Sequence, residues 1–303
     1  IEEPEAHIHT HVQKTLFEKY HFENTQVIIT THSTHISSAS KIDSMNILIK
    51  ERGYTQVCQP SNGLDTDTCN RIERYLDATR STLLFAKGVI LVEGDAELIL
   101  IPSMFKSVFG INLDEIGISI INMSSTVFEH IANLFDDLRI HRKCAIITDL
   151  DQAIGMLPQD SNDDTSEERK MRESQKVGKE RKELLNEKYH SNPWVQIFYA
   201  QHTFEIDFAI NMNTCAIKKI LPVIYKRQCD IEKSMDKLNM NDKVIVGKEA
   251  LRLANKKGKG WFALLIAEEL SYKTNIPEYI LKAIAFTSGH ITEEHLKAMA
   301  HYR

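Results

Sequence analysis

The sequence has 303 residues and a net charge of −5, and its 42% hydrophobic and 26% charged residues are ordinary for a globular chain of about two domains. No apolar run approaches the roughly 20 residues that a bilayer-spanning helix needs, and no signal-peptide pattern is present, so we expect a cytoplasmic protein with no membrane partner. The five cysteines are scattered without a CxxC pair, which argues against a disulfide framework or a zinc site.

Two short patterns stand out in the first 50 residues. Ile1-Glu2-Glu3-Pro4 places two acids after an apolar position and before a proline, and Val27 to Ile29 predicts a short buried strand that runs on to His32. The pair and its spacing resemble the Walker B element and the switch histidine of the ABC-type ATPase heads of OLD (overcoming lysogenization defect), RecN and SMC proteins. The resemblance implies that residues 1–50 are the C-terminal part of such a domain.

This resemblance also implies a role for each residue. Glu2 would hold Mg²⁺ through water, Glu3 would position the water that attacks the γ-phosphate, and His32 would be the nucleotide-sensing switch. The sequence contains no GxxxxGK[ST] phosphate loop, so the lysine and the backbone cradle for the phosphates are missing. We therefore expect ATP to be a cofactor of the complete protein only.

A junction and then a new α/β pattern follow. The apolar pattern weakens over residues 51–85, where Asn62-Gly63 indicates a turn and Asp67 to Arg80 a helix, so we predict a helical junction. From residue 86 onward, apolar runs at 89–92, 118–121, 145–147 and 195–199 predict strands that alternate with helices. This alternation is typical of a mainly parallel sheet flanked by helices, in which ligands gather at the carboxyl ends of the strands.

The remaining segments are predicted to be helical. Residues at about 156–190 are dense in charge, which indicates an exposed helix or a mobile insertion, and helical patterns occupy about 215–303. Residues 211–260 hold twelve Lys or Arg against five Asp or Glu, a local balance of +7. Such a surface suits phosphate binding, although a solvated helical face would give the same pattern.

Acidic side chains follow two of the predicted strands. Glu93 ends the first strand and Glu97 lies one helical turn further on, while Asp149 and Asp151 end the third strand as an Asp-x-Asp motif. Hard oxygen ligands of this kind suit Mg²⁺ or Mn²⁺. One such motif alone could be a pair of surface carboxylates, but two motifs in this order favour a metal site.

These motifs resemble the two signatures of the Toprim fold, which topoisomerases, bacterial primases and OLD nucleases share. Thr203-Phe204-Glu205-Ile206-Asp207 is similar to a further segment of the OLD nucleases, which implies that Glu205 and Asp207 complete a second metal site. Lys259-Gly260-Trp261-Phe262-Ala263 is similar to another, whose lysine stabilises charge on the phosphate. Lys256 and Lys257 lie close enough to leave that choice open.

The resemblance implies a metal-dependent DNA endonuclease or nickase with two ions, in which Glu93, Asp149 and Lys259 carry the catalysis. It also implies an attached regulatory ATPase, a homo-oligomer formed through that domain, and a part in anti-phage defence with a possible helicase partner, as in Gabija systems. The alternative is a non-catalytic ABC/Toprim module for DNA binding or dimerisation.

Overall fold

The computed structural model describes residues 1–19, 24–51, 53–77, 79–124, 128–158 and 164–301. Before residue 47, the described part of the chain contains helices α1 (Thr10–Lys19) and α2 (Thr34–Ala39), and the only β-type pairing there is a parallel bridge between Glu2 and Thr30. The prediction of a buried strand at 27–29 is wrong for this chain. Residues 27 and 28 are exposed and form no strand, because no described strand packs against them.

The predicted helical junction begins instead with a β-hairpin. Strand β1 (Ile47–Glu51) pairs antiparallel with β2 (Tyr54–Cys58), and Gly53 between them has a φ of +86°, a conformation that glycine adopts without strain. Helix α3 (Thr66–Tyr75) follows and is capped by the side chain of Asp65. The junction is therefore part strand and part helix.

A four-stranded parallel sheet forms the centre of the molecule. Its strands are β3 (Gly88–Val92), β4 (Ile118–Asn122), β5 (Lys143–Asp149) and β6 (Val195–Ala200), in the spatial order β4-β3-β5-β6. Every residue of β3 is buried, as expected for an inner strand covered on both faces. The prediction of a parallel sheet flanked by helices is confirmed.

The two faces of the sheet support two apolar clusters. Because successive side chains of a strand point to opposite faces, Ile90 and Val92 join one cluster while Val89 and Leu91 join the other. The first cluster includes α4 (Asp95–Phe109) and most of the C-terminal helices, and the second includes α3, α5 (Glu129–Ala132) and the end of α6 (Ser166–Tyr189). The C-terminal helices are α7 (Phe204–Phe208), α8 (Thr214–Ile224), α9 (Gln228–Asn239), α10 (Lys243–Lys257), α11 (Lys259–Glu268), α12 (Glu278–Ser288) and α13 (Glu293–His301).

Helix α6 is the charged segment of the sequence, and one side of it is fixed to the domain. Thr165 and Glu168 form a capping box at its start, and the buried residues Gly178, Leu185 and Tyr189 recur at helical spacing. The charged segment is thus a helix with one buried stripe, and most of its other residues are exposed. No helix in the described ranges is long and apolar enough to cross a bilayer.

Candidate metal centre

Glu93 and Glu97 lie where β3 passes into α4. Glu93 is the residue after the strand, and its Oε1 accepts hydrogen bonds from the Thr148 hydroxyl and, at 3.1 Å, from the backbone N–H of Asp149. Glu97 lies in the first turn of α4 and is only 7% exposed. Gly94 between them has an extended backbone (φ −148°), a conformation that does not require glycine.

Asp149 and Asp151 come from the end of β5. Asp149 is the last residue of the strand and is buried, whereas Asp151 has a φ of +49°. This left-handed conformation is one that aspartate tolerates better than most residues. Leu150 and Gln152 donate backbone hydrogen bonds to residues at the end of β6, which fixes the loop that carries both acids.

Glu205 and Lys259 reach the same place from the helical part of the chain. Glu205 is 1% exposed on α7, and its Oε2 lies 3.1 Å from Nζ of Lys259, the first residue of α11. Helix α11 packs on α4, so the lysine is brought to the beginning of the helix that carries Glu97. By contrast, Nζ of Lys256 lies 3.9 Å from the centre of the Tyr225 ring, where it makes a cation–π contact.

Asp207 has a different environment. Its carboxylate accepts a 2.8 Å hydrogen bond from the backbone N–H of Gln201 and longer ones from that of His202. These bonds hold the loop between β6 and α7, which sets the position of Glu205. The geometry therefore favours a role for Asp207 in holding this loop over direct contact with a metal.

The acids are close enough to perturb one another. Burial, reinforced by the charges of Glu205 and Glu93, raises the pKa of Glu97 to about 7. Burial and the charges of Glu97, Glu93 and Asp151 likewise raise the pKa of Asp149 well above its ordinary value. Burial acts to lower the pKa of Lys259, but the Glu205 carboxylate outweighs it and the pKa of the lysine is raised.

Arg181 on α6 also belongs to this site, although no sequence motif marks it. Its guanidinium Nη2 lies 3.5 Å from Oε1 of Glu93 and 3.5 Å from Oδ2 of Asp151, and it donates a hydrogen bond to the backbone oxygen of Asp149. The side chain is 13% exposed. The available signal was Gly178, an unfavourable residue within a long charged helix, three positions before the arginine.

Orphaned polar atoms indicate that the acids fit a metal. Of the seven buried side-chain polar atoms without a hydrogen-bond partner in the described residues, five belong to Arg181, Thr203, Glu205 and Tyr279. Neither oxygen of Glu205 receives an aligned hydrogen bond, even though Lys259 is near. Metal ions with their waters would supply the missing partners and relieve the repulsion among the carboxylates.

The acidic side chains are nevertheless not arranged as a metal coordination shell. Within the described ranges, no group of three or more His, Cys, Asp or Glu side chains is arranged closely enough to hold an ion as it stands. Hydrogen bonds from Thr148 and the ion pairs with Arg181 and Lys259 occupy several of the carboxylate oxygens instead. Metal binding would therefore require some of these carboxylate contacts to be replaced by contacts with the ion.

Glu2, Glu3 and His32 lie in the N-terminal part of the chain, before β1. The backbone N–H of Glu3 donates to Thr30 O at 2.8 Å, which places the two short patterns side by side. Oε1 of Glu5, a residue that the sequence analysis did not select, accepts hydrogen bonds from the Thr31 hydroxyl and the His32 N–H. The ring of His32 lies 6.3 Å from that of Phe85, just before β3.

The arrangement of acids at the carboxyl ends of β3 and β5 is that of a Toprim domain. More narrowly, residues 84–151 match the family model of the overcoming lysogenization defect protein-like Toprim domain, so the chain carries a Toprim domain of the OLD-like type. Such domains generally use divalent metals, and this assignment indicates an enzyme of the metal-dependent nuclease kind. No significant match was found among curated proteins.

Solved structures similar to this chain are C-terminal regions of OLD proteins. That of Burkholderia pseudomallei is 24% identical with a TM-score of 0.48, and the match covers 71% of this chain and 99% of the other. That of Xanthomonas campestris pv. campestris is also 24% identical, with a TM-score of 0.42 and coverage of 73% and 99%. It is the match of residues 84–151 to the family model that identifies the OLD-like Toprim domain.

Proposed function

We propose that this chain cleaves or nicks DNA by metal-dependent hydrolysis of phosphodiester bonds. The observation that carries the proposal is the convergence of Glu93, Glu97, Asp149 and Glu205 with Lys259 at one edge of the sheet. Burial, reinforced by neighbouring carboxylates, raises the pKa values of Glu97 and Asp149, and such perturbed acids are characteristic of functional sites.

The residues of the site would have three different roles in the proposed reaction. Glu93, Glu97, Asp149, Asp151 and Glu205 would hold two Mg²⁺ or Mn²⁺ ions, which supply an activated water and stabilise charge on the phosphate oxygens. Asp207 would hold the loop that presents Glu205. Lys259 would donate to the phosphate as charge develops on it, because a preorganised ammonium in a partly buried site stabilises such charge strongly.

The proposal extends to the partners of the complete protein. The excess of Lys and Arg in residues 211–260 supports DNA as the substrate, even though several of these residues are ion-paired, among them Lys219, Lys237 and Arg252. The pairing of residues 1–3 with residues 28–30 supports an attached ABC-type ATPase with Glu2, Glu3 and His32 in nucleotide contact. Regulation by ATP, assembly through that domain and anti-phage defence with a helicase partner rest on the family resemblance.

A non-catalytic DNA-binding or dimerisation module is the second candidate. It is favoured by the lack of a ready coordination shell among the described residues and by the two cations that occupy carboxylate oxygens. Under this alternative the ion pairs would be permanent parts of the fold, and metal would neither bind nor matter.

Plasmid cleavage distinguishes the two candidates. Supercoiled plasmid is incubated with the purified chain in Mg²⁺, in Mn²⁺ and in EDTA, beside Asp149→Asn and the matched control Glu180→Gln, which removes an exposed carboxylate of α6. We expect metal-dependent nicking by the wild type and the control, and none by Asp149→Asn. Cleavage that Asp149→Asn retains in full, or no cleavage by any of the proteins in either metal, would contradict the proposal.

A further inference from the structure

Helix α6 approaches the Asp149–Asp151 loop more closely than any residue with a side chain would allow. A Cβ atom at Gly178 would lie only 2.4 Å from the backbone oxygen of Leu150. Glycine in the middle of a helix costs roughly 0.5–1 kcal/mol relative to alanine, so its presence here is accounted for by this backbone contact. Gly178 thereby allows the backbone of α6 to lie against Leu150, between Asp149 and Asp151.

Arg181 is one turn further along α6 and therefore faces the same loop. Its Nη2 lies between Glu93 and Asp151, 3.5 Å from a carboxylate oxygen of each, and bonds to the backbone oxygen of Asp149. The side chain is nearly buried, and its Nε has no hydrogen-bond partner. A buried guanidinium with an unsatisfied N–H is costly unless its charge is strongly compensated, and here the acids compensate it.

The position of this charge has a consequence for metal binding. A guanidinium in contact with two carboxylates stabilises the cluster when no metal is present. A divalent ion that uses the same carboxylates is repelled by that guanidinium and must take over its contacts. The two cations therefore compete for the same negative charge.

We propose that Arg181 is an internal counter-cation, which stabilises the metal-free acid cluster and weakens metal binding by competing for Glu93 and Asp151. The inference rests on the proposed metal site. It assigns to α6 a function that neither the charge pattern nor the family motifs indicate. Arg181 in this view sets the metal concentration at which the site fills.

The test compares melting temperatures in EDTA and in saturating Mn²⁺ for four proteins: wild type, Arg181→Gln, Arg181→Lys and Lys179→Gln. The last is the matched control, since it removes a positive charge from an exposed position of the same helix. For Arg181→Gln we expect a lower melting temperature in EDTA and a metal-induced rise that exceeds that of the wild type. Each tenfold gain in affinity should add about 3–6 °C to this rise. Arg181→Lys, which keeps the charge, and Lys179→Gln should show rises close to that of the wild type.

Several results would overturn the inference. A metal-induced rise in Arg181→Gln equal to or below that of the wild type would mean that Arg181 does not compete with metal. The same conclusion follows if Arg181→Gln stays unfolded in saturating Mn²⁺, or if Arg181→Lys behaves like Arg181→Gln. If the wild type itself gains nothing from metal, the metal site of the proposed function fails, and that result is distinct from a failure of the inference about Arg181.

Discussion

Lys259 and Glu205 form an ion pair between two helices of the site, with 3.1 Å between Nζ and Oε2. Glu205 is 1% exposed, and Lys259 lies in the first turn of α11. The pair joins the start of α11 to α7. Lys256 lies only three residues earlier but contacts the Tyr225 ring instead. Because the two lysines are so near in sequence and so different in contact, they form a matched pair for mutagenesis.

The first prediction concerns the rate of cleavage. Lys259→Ala should lower the single-turnover rate on DNA by something like 10²–10³-fold, the loss seen when one preorganised donor to a developing charge is removed. Affinity for uncut DNA should change little, because the interaction strengthens mainly in the transition state. Lys256→Ala should leave the rate at saturating DNA unchanged. Equal rates for the two variants would remove Lys259 from the catalytic residues.

The second prediction concerns stability and pH in the absence of metal. The pKa of Glu97 is raised from its ordinary value of 4.5 to about 7, so between these values the folded state binds more protons than the unfolded state. The free energy of unfolding should therefore fall as pH rises through this window. Urea titrations in EDTA at several pH values measure it, and Glu97→Gln should flatten this part of the profile. An equally steep profile in the variant would show that Glu97 is not the group responsible.

The third prediction concerns Asp207. Asp207→Ala leaves the backbone N–H groups of Gln201 and His202 without their acceptor, which should cost about 1–3 kcal/mol of stability. The metal-induced rise in melting temperature should persist, whereas Glu205→Ala should abolish most of it. Loss of the rise in both variants to the same extent would instead make Asp207 a direct ligand, as the family segment implies.

The fourth prediction concerns ATP. The sequence has no phosphate loop, so this 303-residue chain should show no ATP turnover above buffer, and Glu3→Gln should leave its DNA cleavage unchanged. A coupled phosphate-release assay measures the turnover. ATP turnover that disappears in Glu3→Gln would contradict this prediction, because it would show that Glu3 takes part in hydrolysis by this chain.

The sequence predicted the parallel sheet, and the positions of Glu93 and Asp149 at strand ends, because both depend on local patterns. The buried strands β3 to β6 are short apolar runs, and Glu93 and Asp149 sit at their ends. The hairpin was missed because four of the five β2 residues are exposed, and its apolar and polar residues do not alternate along the strand. Exposure of Val27 and Ile28 was missed because an apolar run does not reveal whether any other segment covers it.

Arg181 was beyond local prediction for a different reason. It lies 30 residues after Asp151 in a helix full of charge, and no periodic pattern distinguishes it from the exposed lysines beside it. Its contact with the acids depends on the approach of two backbone segments at Gly178 and Leu150. Such an approach is a tertiary property, and the glycine alone suggests only that some close contact exists.

The order of these residues along the chain has a consequence for biosynthesis. The ribosome releases Glu93, Glu97, Asp149 and Asp151 before Arg181, and Lys259 appears 108 residues after Asp151 (259 − 151). A nascent chain that ends just after Asp151 therefore holds four of the acids without Arg181 or Lys259, and it lacks Glu205. Under the proposed function, the complete set of acids and cations at the site is therefore present only after α11 has been synthesised.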